Sequence, residues 1–275
     1  MRTGTTKHYL LASDFDQTLS FNDSGHVLSE MLGVRDFEQK VTGLARSNLV
    51  QQGGELAYLI RHDPDFRGIR RRHLIEAGRH VRIKEALPAL VETLRGGLHG
   101  SKFSFRVISA APRELVASAL AGIVPPEHIF GTEFDYDCRS GEVRAITRVP
   151  AGYGKVAVLD EIASELGVVS DRIVYVGDGS SDVHVMLHVN NGDGFTIAVS
   201  ENQQLARIAQ ATVLSDSTFS ILLPVLNQVL KLRTSEIRTV LESQGLLLHD
   251  WERASRTDRV KILELPPSVS AAAVA

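Results

Sequence analysis

One cysteine, Cys138, is all the thiol chemistry this chain has. It allows neither an internal disulfide nor a cysteine cluster for a metal. No apolar run approaches the roughly 18 residues that span a bilayer. The apolar stretch at 9–12 is too short for the hydrophobic region of a secretory signal. An excess of one charge is also lacking: 30 Lys+Arg stand against 33 Asp+Glu, a formal net charge of −3. A dedicated nucleic-acid binder normally carries a strong basic excess. No segment repeats, and the Gly-x-x-x-x-Gly-Lys-Ser/Thr spacing of a phosphate-cradling loop is missing around Gly152 and Gly154. What remains is an ordinary globular composition, 43% hydrophobic and 23% charged over 275 residues, sufficient for one large domain or a core with an insert. These exclusions predict a soluble, cytoplasmic protein that engages neither nucleic acid nor membrane.

What is present is alternation. Strand-like runs at 9–13, 103–109, 172–176 and 195–199 are interleaved with helical stretches at 87–95, 112–121, 155–166, 182–188 and 202–210. That order predicts an α/β fold, a doubly wound parallel sheet with helices on both faces. It breaks once, at 21–83, which reads only as helices (25–32, 37–60 and 66–80), with Gly53-Gly54 weakening the second. Arg139-Ser140-Gly141, between 133–136 and 143–146, marks a hairpin. The expected organisation is a core of 1–20 and 84–235, a helical insert at 21–83, and a C-terminal extension at 236–275. Within that extension 235–243 reads as helix, 260–265 as strand, and 266–275 as a frayed end.

The informative residues stand where the strands end. The first runs into Asp14-Phe15-Asp16-Gln17-Thr18, and two carboxylates so close repel unless a cation or an acid–base role compensates. The second runs into Ser109-Ala110-Ala111-Pro112; Pro112 suits a first helical turn, which places the Ser109 hydroxyl and the Ala110 and Ala111 amides where an anion binds. The third ends in Gly177-Asp178-Gly179-Ser180-Ser181-Asp182, whose two Asp, four apart, face one way on a helical turn. Lys155 opens a helix against its dipole and needs another reason to be there. In open α/β sheets ligands bind at the carboxyl ends of the strands, so these groups converge. Carboxylates gathered there suit Mg²⁺. The hydroxyl, amides and Lys155 suit phosphoryl oxygens, with one strand-end Asp as nucleophile and its neighbour as general acid and base.

In this order the motifs resemble those of the haloacid dehalogenase superfamily of phosphatases. Asp14-Phe15-Asp16-Gln17-Thr18 matches its first motif, Ser109 its second, Lys155 its third and Gly177-Asp178…Asp182 its fourth. The helical insert is similar to the cap of the phosphoserine-phosphatase-like branch. The resemblance implies a Rossmann-like core and a Mg²⁺-dependent phosphomonoester hydrolase working through an aspartyl-phosphate. It makes Asp14 the nucleophile and Asp16 the general acid/base. Asp14, Asp178 and the Asp16 backbone carbonyl become metal ligands, Asp182 the holder of metal-bound water, and Thr18, Ser109, Ala110 and Lys155 the phosphoryl-orienting groups. Asp16 points to phosphatase, because dehalogenases of the superfamily lack the second Asp. Three departures bear on the substrate: Asp23 stands where phosphoserine phosphatases usually carry Glu, Ser109-Ala110-Ala111 replaces Ser-Gly-Gly, and Ser181 replaces Asn. A small phosphorylated metabolite is therefore expected as substrate. Phosphoserine is the narrowest case; a sugar or enol phosphate or phosphocholine is the alternative, and an inactive phospho-ligand-binding relative a further one.

Asp23 would reach toward a substrate amine, and Arg46, Arg61 or Arg67 would clamp a carboxylate. The crowd at Arg70, Arg71, Arg72 and His73 reads either as a solvated face or as an anion-attracting one. His184 and His188 have i, i+4 spacing but no third ligand, and Asp135 and Asp137 alternate along a solvent-facing strand.

Overall fold

The apolar run near the start of the chain becomes the centre of the sheet. The computed structural model describes residues 6–47 and 50–265, so the expected frayed end at 266–275 lies outside the described residues. In β1 (His8–Ser13), Leu10, Leu11 and Ala12 are fully buried, as a parallel strand covered on both faces requires. Alternate side chains serve opposite layers. Tyr9 and Leu11 join a cluster with Leu87 and Leu90, while Leu10 and Ala12 join one with Leu159 and Met186.

The other strands are β2 (Lys102–Pro112), β3 (Ile129–Tyr136), β4 (Val143–Arg148), β5 (Ile173–Gly177), β6 (Phe195–Ala198), β7 (Ala211–Leu214), β8 (Leu246–Ala254) and β9 (Thr257–Glu264). They form one sheet in the order β4-β3-β2-β1-β5-β6-β7-β9-β8. β1 pairs in parallel with both β2 and β5. The chain thus winds one way from β1 through β2 and β3, then crosses back to β5 and winds the other way. Strand order reverses at the carboxyl end of β1, and such a switch point opens a crevice for ligand.

Between β1 and β2 lie α1 (Ser24–Leu32), α2 (Phe37–Ser47), α3 (Glu55–His62) and α4 (Arg71–Arg79), followed by α5 (Leu87–Gly96). The single helix expected at 37–60 is two. Gly53, with φ +92°, lies in the turn between them, just before Gly54 at the N-cap of α3, a conformation a continuous helix does not contain. The helix expected at 66–80 starts only at Arg71, because Pro64 begins a short 3₁₀ turn and Gly68 (φ +78°) follows it. β2 runs three residues beyond its expected end, since Pro112 still pairs with Thr132 of β3. Pro112 is accordingly the N-cap, with ψ 130°, of α6 (Arg113–Ala119), not its first turn.

Further on come α7 (Tyr153–Leu166), α8 (Val183–Asn191) and α9 (Gln203–Ile208). The C-terminal segment supplies a helix at Thr234–Ser243 and the β8–β9 hairpin, and β9 pairs in parallel with β7. Residues 246–264 therefore lengthen the core sheet. β8 is hidden in the sequence because its alternation breaks at a bulge between Leu248 and Asp250. Among the described residues no helix is long and apolar enough to cross a membrane.

The hairpin is locked by Asp258. Its buried carboxylate accepts from Trp251 Nε1 at 3.0 Å and from Arg253 Nε and Nη2 at 2.7 and 3.0 Å. Asp258→Ala removes the acceptor shared by Trp251 and Arg253 and is expected to cost about 1–3 kcal/mol, measured by denaturant unfolding.

Candidate active site

Register decides what meets at the carboxyl edge. Ser13 lies opposite Val107 of β2 and Val176 of β5. Asp14 is therefore flanked by the Ser109 end of β2 and the Gly177-Asp178 end of β5, and its N–H donates to the Val176 carbonyl at 2.9 Å. Lys155, in the first turn of α7, reaches into the same point: its Nζ lies 2.6 Å from Asp14 Oδ1 and 2.6 Å from Asp182 Oδ1. This is the reason for a cation at that helix start.

Asp182 is fully enclosed. Tyr175 donates its phenol to Oδ1 at 2.7 Å, and the Gly179 N–H donates to Oδ2 at 3.2 Å. Its close approach to the strand requires Gly177, where a Cβ would stand 2.4 Å from Asp182 Cγ. Asp178 accepts from Thr18 Oγ1 at 3.4 Å, and its backbone carbonyl accepts from the Ser200 hydroxyl. Asp16 turns away from Asp14 toward the insert, where the Ser24 N–H and hydroxyl donate to its two oxygens at 2.8 and 2.9 Å.

Crowding these groups out of water changes their acidity. Burial, reinforced by the Asp182 charge and opposed by Lys155, lifts Asp14 to about 6. Burial and then the Asp14 and Asp182 charges lift Asp178 to about 8. Asp16 is pushed well above the carboxylate range, first by burial and then by Asp23 and Asp14. Burial works against the Lys155 charge, but Asp14 and Asp182 outweigh it and hold the ammonium protonated.

The donor set fits a hard divalent cation. Asp14, Asp178 and Asp182 each offer an oxygen, all within 4.8 Å of one another, and oxygen-only ligation is what Mg²⁺ takes. Both Asp182 oxygens are taken, Oδ1 by Lys155 and Tyr175 and Oδ2 by Gly179, whereas Asp14 uses only Oδ1 on Lys155 and lines the cavity with Asp178, so these two would hold the ion.

Above the cluster opens a cavity of about 470 Å³, walled on the core side by Asp14, Asp16, Ser109, Ala110 and Asp178. The insert forms the other wall, including Asp23, Phe37, Val41 and Leu56. Contact between the two is close. A Cβ on Gly53 would stand 2.9 Å from Ser181 Cβ, and one on Gly152 2.5 Å from Gln51 Nε2.

Of the residues expected from the sequence, Asp14, Asp16, Asp23, Ser109, Ala110 and Asp178 line this cavity. Lys155 and Thr18 stand behind it, Thr18 turned to Asp178. The Ala111 amide is occupied by Ser109 Oγ at 3.1 Å, and Asp23 caps α1 through the His26 N–H at 3.0 Å. The arginines expected to clamp a carboxylate are elsewhere. Arg46 is outside the cavity wall, and Arg61 and Arg67 border a separate cavity beside Glu142. Arg70 pairs with Glu142 at 3.5 Å and Arg71 with Glu114 at 3.2 Å, fastening the insert to the hairpin and α6. His184 packs on Tyr153, and His188 meets Asp160 at 2.8 Å, with no third ligand among the described residues. Cys138 is exposed and free, Asp137 caps the hairpin turn through the Arg139 and Ser140 amides, and Asp135 pairs with Arg144. Sequence reading missed Tyr175, Glu55 and Lys84, whose Nζ donates to the Gln17 carbonyl at 2.6 Å. A phenol inside an otherwise apolar strand was the available signal for Tyr175.

The family model for haloacid dehalogenase-like hydrolases matches residues 11–187. The chain belongs to this family. No curated protein sequence matches the hydrolase. Among solved structures it is similar to a phosphoserine phosphatase captured as a phospho-aspartyl intermediate analogue, at 19% identity, covering 75% of this chain and 93% of that one, with a TM-score of 0.58. A substrate-bound phosphoserine phosphatase matches at 18% identity over 82% and 99% of the two chains, TM-score 0.60. A HAD family hydrolase of Salmonella enterica serovar Typhi matches at 15% over 81% and 72%, TM-score 0.63. At these identities the likeness is one of fold.

The raised carboxyls make metal and proton compete. Unfolded, these Asp side chains titrate near 4; folded, Asp14 and Asp178 titrate near 6 and 8. The folded metal-free hydrolase thus holds protons that the unfolded chain has released, and its stability falls as pH rises from about 4 to 8. At a fixed concentration Mg²⁺ is expected to raise Tm more at pH 8 than at pH 6, because fewer protons compete for its ligands; where it stands at a hundred times its Kd it adds about 2.7 kcal/mol of stability. Thermal melts with and without Mg²⁺ at the two pH values check both signs.

Proposed function

We propose that the hydrolase is a Mg²⁺-dependent phosphomonoesterase that passes a phosphoryl group first to Asp14 and then to water. The observation that carries this reading is the division of labour between two carboxyls two residues apart. Asp14 is tied to Lys155 at the head of the cavity, whereas Asp16 is turned toward Ser24, and burial with the Asp23 and Asp14 charges pushes its carboxyl up against the two Ser24 donors. A nucleophile must be ionised and a general acid protonated, and separate environments permit both at one pH.

In the proposed reaction Asp14 Oδ attacks phosphorus as the P–O bond to the substrate alcohol breaks. Asp16 delivers its proton to the departing oxygen, leaving an aspartyl-phosphate and an alcohol. A water then attacks phosphorus, gives its proton to Asp16, and breaks the bond to Asp14, which restores both carboxyls. Mg²⁺, held by Asp14, Asp178 and the Asp16 backbone carbonyl, would supply positive charge to the phosphoryl oxygens. Lys155 keeps the Asp14 carboxylate oriented, and the Ser109 hydroxyl and Ala110 present polar groups to the phosphoryl end of the cavity. Asp182 and Tyr175 act by positioning Lys155. The insert, acting as a cap over residues 21–83, limits the entry of water.

Asp14→Asn is expected to abolish turnover of a generic aryl phosphate while the protein stays folded. Asp16→Asn should lower kcat by roughly 10²–10⁴, and by less for esters with good leaving groups, which need no proton. Steady-state kinetics over a series of phosphate esters with graded leaving-group pKa measures this. A folded Asp14→Asn variant with near wild-type turnover contradicts the mechanism.

A further inference from the structure

The cavity is acidic on both sides. Among the described residues that line it there is no Lys or Arg, and its one basic side chain, His26, stands 3.7 Å from the Glu38 carboxylate. Asp14, Asp16 and Asp178 serve the phosphoryl end. Asp23, Glu38 and Glu55 are left over on the insert side, where the leaving group of a phosphomonoester must lie.

Glu55 is the telling residue. It opens α3 and is only 7% exposed, yet it lines the cavity. Among the described residues its carboxylate accepts the Gly53 N–H at 2.8 Å and meets no cationic side chain. The Gly53 N–H and the start of α3 favour its negative charge without neutralising it, so a cation arriving with the substrate would meet an unspent charge inside the cavity. The insert wall also carries Phe37, Val41 and Leu56, an aromatic and aliphatic surface of the kind that receives alkylammonium groups. A leaving group bearing a carboxylate would instead enter a chamber of carboxylates with no guanidinium or ammonium to pair it. Such unpaired charge is how a site rejects the wrong partner.

Resting on the phosphomonoesterase reading above, we propose that the substrate's alcohol carries an ammonium group and no carboxylate. It is an amino-alcohol phosphate whose cation sits against Glu55 and Asp23. This sets the hydrolase apart from the phosphoserine phosphatases whose fold it shares.

The test measures kcat/KM of the full chain with Mg²⁺ for phosphocholine, phosphoethanolamine, L-phosphoserine and dimethylbutyl phosphate, the uncharged isostere of phosphocholine. p-Nitrophenyl phosphate serves as the control for phosphatase activity itself. At least one ammonium ester is expected to exceed both L-phosphoserine and the uncharged isostere by about tenfold or more, a contrast typical of sites built around a specific polar group. Glu55→Gln is expected to lower the ratio of ammonium ester to uncharged isostere by about tenfold, and Asp23→Asn reads the same ratio if the first variant does not fold. Equal or better turnover of L-phosphoserine or of the uncharged isostere, with p-nitrophenyl phosphate cleaved, overturns the substrate assignment alone. Failure to cleave any ester, p-nitrophenyl phosphate included, overturns the phosphomonoesterase reading and this inference with it.

Discussion

One buried ammonium holds the carboxyl edge of the sheet together. Lys155 Nζ sits 2.6 Å from both Asp14 and Asp182 and is shielded from solvent. Without it two carboxylates would face each other in a medium too apolar to tolerate them, and removing one member of such a buried set costs about 3–5 kcal/mol. Much of the local sequence serves this contact. Gly177 lacks a Cβ because Asp182 occupies that space, and Tyr175 spends its phenol on the same carboxylate. Lys155 stands at a helix N-terminus, where the dipole disfavours it, because the two carboxylates outweigh that cost.

The sheet order turns this contact into a crevice, and the insert turns the crevice into a cavity. The insert leaves and re-enters the core through a narrow neck. The Phe21 N–H donates to the Arg82 carbonyl at 2.8 Å and the Lys84 N–H to the Leu19 carbonyl at 2.9 Å. At its far side, the left-handed turn at Gly53 rests on Ser181 and Ala151. Besides the neck and this touch point, α4 is fastened to α6, the Ser118 hydroxyl donating to the Ile75 carbonyl at 2.7 Å, so the insert is held over the crevice at several places. The arginines on its outer side belong to the fastening against the β3–β4 hairpin and α6, not to the cavity.

Much of this was legible in the sequence because strand ends and motif spacing are local. Asp14, Ser109 and Asp178 each follow an apolar run, and parallel register alone brings them together. What was hidden depended on tertiary pairing. The extension of β2 through Pro112 comes from its partnership with β3, and β8 is masked by a bulge. Charge alone did not reveal that Arg70 and Arg71 turn from the cavity, because Arg71 at the start of α4 meets Glu114 and Arg70 before it meets Glu142, residues remote in sequence. Glu55 was likewise silent, since nothing local distinguishes a buried helix-opening carboxylate from a solvated one.

In the proposed reaction Asp14 is the group that receives the phosphoryl. An acyl phosphate is reduced by borohydride to an alcohol, so quenching turnover of an aryl phosphate into borohydride and mapping the digest by mass spectrometry reads the acceptor directly. Homoserine is expected at position 14, dependent on both substrate and Mg²⁺, and at no other carboxyl. Reduction at a different residue, or none during active turnover, would contradict it.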